Sequence, residues 1–388
     1  MKKYENLFFL IFLISNNINM KITLSVIKAD IGSIGGHIKP SVALLAEVEK
    51  TIKTALRQGK ISDYRITFTG DDIALLLVHT LGKDNPKIHE LAWNAFRRGT
   101  KVAKNQGLYG AGQDLLKDSF SGNIKGIGPA IAEMEIKERE NEPFIVFAAD
   151  KTNPGAYNLP FYLAFCDPMN TGGLLLSSNM GKGYKFSILD VSESHHDWHI
   201  ELNSPEDLYE IAALLRDNDR FCIEEIWSRA SGDVAMVQST TRLRNIAGKY
   251  VGKDDPVAIC RVQKDFPATG EVLAPYALGH FVCGWMRGSH VGPLMPVKQN
   301  TSVSYFDGPP VVSAATYCVK EGKLTEVADA FDQPFWDEVR SQVSRKAIEI
   351  RRQGFSGAAM LPYDELEYGG IKEVMEKINK KFKKREGA

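Results

Sequence analysis

The chain has 388 residues, with 48 lysines and arginines against 48 aspartates and glutamates, and so a formal net charge of zero. That balance excludes a protein that holds nucleic acid or an anionic membrane by bulk charge, and a 44% hydrophobic content excludes large-scale disorder. The length suits two or three domains or one large multilayer domain.

Lys2 and Lys3 precede an apolar run, Leu7 to Ile14, that has the form of the first two regions of a secretory signal. It is too short to span a bilayer, and no small-x-small cleavage site follows it. Met20 then opens a clean strand, MKITLSVIKAD. The reading taken is that translation starts at Met20, with 1–19 as an extension and 20–388 as the folded chain; a functional signal is the alternative. No later apolar stretch is long enough for a transmembrane helix.

Three strands are expected to end in acids. Ile22–Lys28 stops at Ala29-Asp30, Tyr64–Thr69 at Gly70-Asp71-Asp72, and the apolar run Pro143–Ala149 at Asp150-Lys151. Helices are expected between them. Ser41–Arg57 aligns Leu44, Leu45, Val48, Ile52 and Leu56, and His89–Gln106 aligns Leu91, Ala95 and Val102. Strand and helix alternate, which predicts an α/β architecture. Further strands are expected at Phe186–Val191, Arg220–Trp227, Asp233–Gln238, Val257–Gln263 and Val311–Val319. Further helices are expected near Glu206–Arg216, Gln333–Arg352 and Ile371–Phe382. The five cysteines are odd in number and lack CxxC spacing, so they read as small core residues and reduced thiols of a cytoplasmic protein.

The chemistry begins with the strand-end acids. Asp30, Asp71, Asp72 and Asp150 cannot stay ionised close together without a partner, and hard divalent cations of the Mg²⁺ class suit an all-oxygen set. Each acid taken singly is an ordinary turn or N-cap residue. Glycine-rich stretches follow the same double reading. His37 closes GSIGGH, SFSGNIKGIGP has backbone N–H groups able to cradle phosphate, and both are ordinary loops otherwise. In GKYVGKDDP, Lys253 beside Asp254 and Asp255 is either a salt-bridged turn or an amine nucleophile with Tyr250 as its phenol. Arg287 in GWMRGSH can fork onto phosphate, and Asp307 in FDGPP can meet a sugar hydroxyl. The cluster HHDWH, with His195, His196 and His199, reads as a solvated loop.

Taken together these blocks carry a resemblance. VIKADIGS with GGH, TGDD, GLYGAGQDLL, DSFSGN, AADKTNPGAYNLP, AGKYVGKDDP, WMRGSHVGPLMPV, FDGPP and ELEY resemble the archaeal-type fructose-1,6-bisphosphate aldolase/phosphatases, the class V fructose-1,6-bisphosphatases, over Met20 to about Lys384. The resemblance implies a layered α-β-β-α sandwich assembled as a cytoplasmic homo-octamer. It implies two consecutive gluconeogenic steps: dihydroxyacetone phosphate and glyceraldehyde 3-phosphate condense to fructose 1,6-bisphosphate, whose 1-phosphate is then hydrolysed.

By the same resemblance Lys253 is the Schiff-base lysine, Tyr250 and Tyr368 are active-site tyrosines, and Asp30 is the general base of the hydrolysis. Asp30, His37, Asp71, Asp72, Gln113, Asp150, Lys253, Asp254 and Asp255 correspond to magnesium-site residues, with several ions per site. His37, Tyr109, Gly122, Asn123, Lys151, Gln263, Arg287, Asp307 and Tyr368 correspond to substrate contacts. Residues 1–19 and the stretch Ser192–Asp219 fall outside the family pattern. A phosphatase without aldolase activity, in which Lys253 is only a phosphate-binding cation, is the competing reading; a non-catalytic sugar-phosphate sensor is a further one.

Overall fold

A computed structural model describes residues 21–115, 128–192, 198–243, 253–355, 357–362 and 370–383. In chain order the main elements begin with β1 (Lys21–Ala29), α1 (Val42–Arg57), β2 (Asp63–Thr69), β3 (Asp72–His79), α2 (Pro86–Asn105), β4 (Ala130–Lys137) and β5 (Glu142–Asp150). Then come α3 (Asn158–Cys166), β6 (Tyr184–Asp190), β7 (His199–Asn203), α4 (Leu208–Leu215), β8 (Phe221–Ser228), β9 (Val234–Gln238), β10 (Thr241–Arg242) and β11 (Val257–Arg261). The rest are β12 (Phe281–Gly284), β13 (His290–Pro293), β14 (Met295–Val297), β15 (Val311–Lys320), β16 (Lys323–Asp329), α5 (Pro334–Arg352) and α6 (Gly370–Asn379).

Two large sheets pack face to face. The smaller has the order β10-β4-β1-β3-β2, and every pairing in it is antiparallel. The larger runs β14-β15-β5-β11-β9-β8-β6-β7, with β16 also paired to β15. Alternation along β1 shows how the layers form. Ile22, Leu24 and Val26 meet Phe144, Val257, Ile259 and Tyr317 of the larger sheet. Ile27 and Ala29 turn the other way, onto a core with Leu44, Val48 and Ile52 of α1 and Ala92, Ala95 and Phe96 of α2. The outer face of the larger sheet packs Ile145 and Phe147 on Phe161 and Phe165 of α3, Ile211 of α4 and Val339 of α5. The order of layers is therefore helix, sheet, sheet, helix, as the resemblance implied.

Helix starts follow local chemistry. Ser41 Oγ accepts from the N–H of Leu44 at the head of α1, and Asn85 Oδ1 accepts from Lys87 N at the head of α2, where Pro86 is the first helical residue. The expected strand–helix alternation misses one feature. β2 and β3 form a hairpin with no helix between them, so the sheet is antiparallel and the carboxyl-end rule of parallel sheets does not locate the site. β3 reads DIALLLVH and is buried along its whole length, so its sequence has neither period and does not announce itself as a strand. None of the five cysteines is in a disulfide; four are buried and Cys318 is exposed. No helix among the described residues is long and apolar enough to cross a membrane. The extension 1–19 lies outside the described residues.

Candidate active site

Antiparallel pairing collects the acids at one end of both sheets. β1 ends where β3 begins, with Ala29 opposite Ile73, so Asp30 arrives beside Asp72. Thr69 pairs with Asp72 across the two-residue turn Gly70-Asp71. In the larger sheet, Ala149 N donates to Pro256 O (3.0 Å), and Val311 of β15 lies opposite Asp150. Asp150 at the end of β5 and Asp255 just before β11 are thus neighbours. The two sheet ends are joined by Thr69 Oγ1 to Ser313 Oγ (2.7 Å) and by Gly70 N donating to Thr301 O (2.9 Å).

Only glycine fits at position 70. Its φ is +61°, and a Cβ there would lie 1.6 Å from Asp150 Oδ2. The hairpin turn is therefore pressed directly against the β5 carboxylate, and the geometry of both acids depends on it.

The result is two groups of ligand atoms. Asp30, His37 and Asp71 offer atoms within 4.8 Å of one another, and so do Asp72, Asp150 and Asp255. Lysines are threaded between them. Lys151 Nζ donates to Asp71 Oδ1 (2.7 Å) and Asp150 Oδ1 (2.8 Å), and Lys28 Nζ donates to Asp72. His37 Nδ1 lies 3.0 Å from Asp71 Oδ2, and the Tyr109 ring meets the His37 ring edge-on. Lys253 Nζ donates to Asp254 Oδ1 (2.6 Å) and lies 3.7 Å from Asp114 Oδ1.

The charge balance is unequal: Asp30, Asp71, Asp72, Asp114, Asp150, Asp254 and Asp255 face Lys28, Lys151 and Lys253. Burial, then the charges of Asp71, Asp72 and Asp114, push the Asp30 carboxyl well above the usual carboxylate range. Burial does the same to Asp150, with Asp71, Asp72 and Asp255 adding to it against the opposing pull of Lys151. Burial raises Asp114 to about 7, again against Lys253. At Asp71 burial also pushes upward but is outweighed by Lys151 and His37, and the carboxyl falls below its usual value. Lys253 is held protonated: burial lowers its pKa, and Asp114, Asp254 and Asp255 more than reverse this.

The residues fit a set of hard cations. Asp150 Oδ2 is shut from solvent and has no hydrogen-bond partner among the described residues. A buried anionic oxygen of that kind is costly until a positive charge meets it. The donors are carboxylate oxygens with one imidazole, which suits a hard divalent ion retaining some water.

The structure brings together Asp30, His37, Asp71, Asp72, Asp150, Lys151, Lys253, Asp254 and Asp255. Gln113 and Tyr109 stand beside them. The link is Gly110, whose φ is +60°: a Cβ there would lie 3.0 Å from Gln113 Oε1 and 3.9 Å from Asp30 Oδ2. Arg287 and Asp307 form their own pair, Nε to Oδ2 3.4 Å, three residues before the Pro310–Val311 step that leads to Asp150. Gln263 is not brought to the acids. It follows the far end of β11, separated from Asp255 by that strand at about 3.3 Å per residue, and its N–H donates to Pro267 O (3.0 Å). Gly122, Asn123, Tyr250 and Tyr368 lie outside the described residues, as do His195 and His196; His199 opens β7 on the surface.

Two residues at the site were missed in the sequence. Asp114 Oδ2 accepts from Asp30 N (2.9 Å), while Asp114 N donates to Asp30 O (3.0 Å), so it fixes the backbone of the first acid. Lys28 continues the Ile22, Leu24, Val26 face of β1 and so is buried between the sheets, where it holds Asp72. A lysine on an otherwise apolar face was the available signal. For Asp114 there was none beyond its place after Gln113.

Comparison with known proteins agrees with this geometry. A family profile described as fructose-1,6-bisphosphatase matches residues 21–383. A fructose-1,6-bisphosphate aldolase/phosphatase of Thermus thermophilus is 56% identical over 363 residues, covering 94% of this chain and 100% of the relative. Proteins of the same name from Ignicoccus hospitalis (48% identical, 94% of this chain, 93% of the relative) and Methanothermobacter marburgensis (47%, 94% and 99%) are also similar.

Proposed function

The chain belongs to the fructose-1,6-bisphosphatase family, and on that premise we propose how its residues divide the work. It is a bifunctional gluconeogenic enzyme, a fructose-1,6-bisphosphate aldolase/phosphatase. The substrates proposed are dihydroxyacetone phosphate and glyceraldehyde 3-phosphate for the aldol step and fructose 1,6-bisphosphate for the hydrolysis. One catalytic unit over 20–388 is proposed, working as a cytoplasmic homo-octamer.

In the aldol step, the Lys253 amine adds to the ketone carbon of dihydroxyacetone phosphate and water leaves, forming a Schiff base. Tyr250 takes the proton from the adjacent carbon, and the resulting carbanion equivalent attacks the aldehyde of glyceraldehyde 3-phosphate. Water then releases fructose 1,6-bisphosphate and the free lysine. Tyr368 is proposed as a second tyrosine on the proton path. In the hydrolysis, Asp30 takes a proton from the attacking water, the P–O bond to the C1 oxygen breaks, and fructose 6-phosphate and phosphate leave. Lys151, Arg287 and the Gly122-Asn123 backbone are proposed to bind phosphate oxygens, and His37, Tyr109 and Asp307 the rest of the substrate. Asp30, His37, Asp71, Asp72, Gln113, Asp150, Asp254 and Asp255 would hold Mg²⁺, with Lys253 exchanging for the ion when its loop moves. Bound there, such ions neutralise phosphate charge and lower the pKa of coordinated water.

The observation that carries the division is the setting of Lys253. Its ammonium is buried against Asp254 and Asp114 and held protonated, so in this arrangement it is a cation and not a nucleophile. Aldol chemistry therefore needs Lys253 to leave those carboxylates, which then become free to hold metal. The same pinning favours a second reading, a phosphatase in which Lys253 only binds charge. The test supplies both triose phosphates with Mg²⁺ and looks for fructose 6-phosphate and phosphate. Lys253→Ala should lose product from trioses and keep bisphosphate hydrolysis. Borohydride with dihydroxyacetone phosphate should leave an adduct on Lys253; its absence selects the second reading.

A further inference from the structure

A second polar cluster lies at the opposite end of the smaller sheet, on the face toward α2. Alternation places Ser25 of β1, His79 of β3 and Glu133 of β4 on the same face as Ile27, Leu75 and Ile131, where the pattern calls for apolar residues. His89, in the first turns of α2, comes down onto them, and Asp84 sits just before the helix. Asp84, His89 and Glu133 offer ligand atoms within 4.8 Å of one another.

Glu133 is held in place as a carboxylate. Ser25 Oγ donates to its Oε1 (2.6 Å), and Asp84 N donates to its Oε2 (2.6 Å). Since the Ser25 hydroxyl donates to Glu133, it accepts from His79 Nε2 (2.8 Å), and His79 Nδ1 in turn accepts from Leu81 N (3.2 Å). Ser25 is fully buried and gives its proton away from His79, so this is not a nucleophile with its base. It is a chain that orients one carboxylate, as outer-shell partners of a metal ligand do.

His89 is the group left over. It is 6% exposed, and neither ring nitrogen has a hydrogen-bond partner among the described residues. Its Nε2 lies 3.3 Å from Glu133 Oε2 without hydrogen-bond alignment. Two ligands bound at about 2.0–2.1 Å to a tetrahedral zinc ion stand roughly 3.3 Å apart. A buried imidazole that meets an oriented carboxylate without an aligned hydrogen bond, beside a second acid open to solvent, is the arrangement of three ligands with water in the fourth position.

We propose that Asp84, His89 and Glu133 form a second metal site, separate from the catalytic acids, for a borderline divalent ion such as Zn²⁺ or Co²⁺. An imidazole as one of only three ligands favours such ions over Mg²⁺, whereas at the catalytic end one imidazole stands among seven aspartates. The ion would tie the β3–α2 connection to β4.

The test is a Co²⁺ titration of the chelated full-length enzyme in a large excess of Mg²⁺, followed by visible absorption and metal counting. The native chain should bind one Co²⁺ per chain with the strong bands of a low-coordinate site, displaced by Zn²⁺. His89→Gln and Asp84→Asn should each weaken that binding at least tenfold. Their hydrolysis of fructose 1,6-bisphosphate in Mg²⁺ should be unchanged. Asp84 is at the surface, so Asp84→Asn carries the test should His89→Gln not fold. No Co²⁺ held against Mg²⁺, or Co²⁺ that survives the substitutions and is lost in His37→Ala, overturns the proposal.

Discussion

The smaller sheet is polar at both ends, and the ends follow opposite charge logic. At the catalytic end, aspartates outnumber lysines, and burial with mutual repulsion pushes Asp30 and Asp150 well above the usual carboxylate range. At the other end, burial also pushes Glu133 up, but His89, Ser25 and the Asp84 N–H outweigh it and hold the carboxyl low. One end is short of positive charge. The other has a satisfied carboxylate and an imidazole whose ring nitrogens have no aligned hydrogen-bond partner among the described residues. Buried acids alone therefore do not identify a site's ligand; the group left unsatisfied does, and the two ends are suited to different ions.

The comparison breaks most readily at Asp150. Asp150→Asn should reduce bisphosphate hydrolysis about a thousandfold, since it removes a charge proposed to hold metal. The same substitution should raise the thermal midpoint of the chelated enzyme. A carboxyl whose pKa is raised on folding opposes folding at neutral pH, and the neutral amide removes that penalty. A midpoint below that of the native chain in chelator would mean that the surplus charge is already compensated. Lys253→Ala belongs beside it, with the triose route lost and hydrolysis kept within about tenfold.

Gly70→Ala comes next. A left-handed conformation costs an alanine about 1–2 kcal/mol, and the new methyl must also displace the Asp150 carboxylate. Hydrolysis should fall about a hundredfold through misplacement alone, with metal affinity reduced in a calorimetric titration. Unchanged kinetics would show that the hairpin tip does not position Asp150.

How much of this was legible in the sequence depended on whether the signal was local. The acids at strand ends were, because each terminates an apolar run: ITLSVIK before Asp30, PFIVFAA before Asp150. β3 was not, because burial on both faces erases its period. The contact of Gly70 with Asp150 joins a hairpin tip to a strand of the other sheet, and Asp114 reaches Asp30 across 84 residues. Ser25, His79 and Glu133 were hidden for the same reason. They stand on three different strands, and only the register of those strands makes them a cluster.

A pH series sharpens the other end. Burial holds His79 down to about 4, with His89 adding to it and Glu133 opposing. Its folded pKa is below the unfolded 6.5, so His79 stabilises the fold fully above pH 6.5 and this is lost as pH falls toward 4. The loss is at most about 3 kcal/mol. Glu133, also depressed, loses its contribution further down, below 4.5. Protonation of the raised catalytic acids works the other way over this range, so between pH 6.5 and 4 the thermal midpoint of the chelated native enzyme should fall relative to that of His79→Gln. A gap between the two midpoints that does not change with pH would show that His79 is not its source.

The smallest effect is expected from Ser25→Ala. Its hydroxyl accepts from His79 and donates to Glu133 in a site closed to water, so removal leaves one donor and one acceptor short. The cost should be about 1–3 kcal/mol, with no change in bisphosphate hydrolysis, because no catalytic acid touches it. Its second consequence separates a structural serine from one that orients a ligand. If Glu133 holds metal, losing the Ser25 hydrogen bond should weaken Co²⁺ binding as well as stability, by about tenfold or more. If stability falls while Co²⁺ binding is untouched, Ser25 serves only the packing of β1 between β3 and β4.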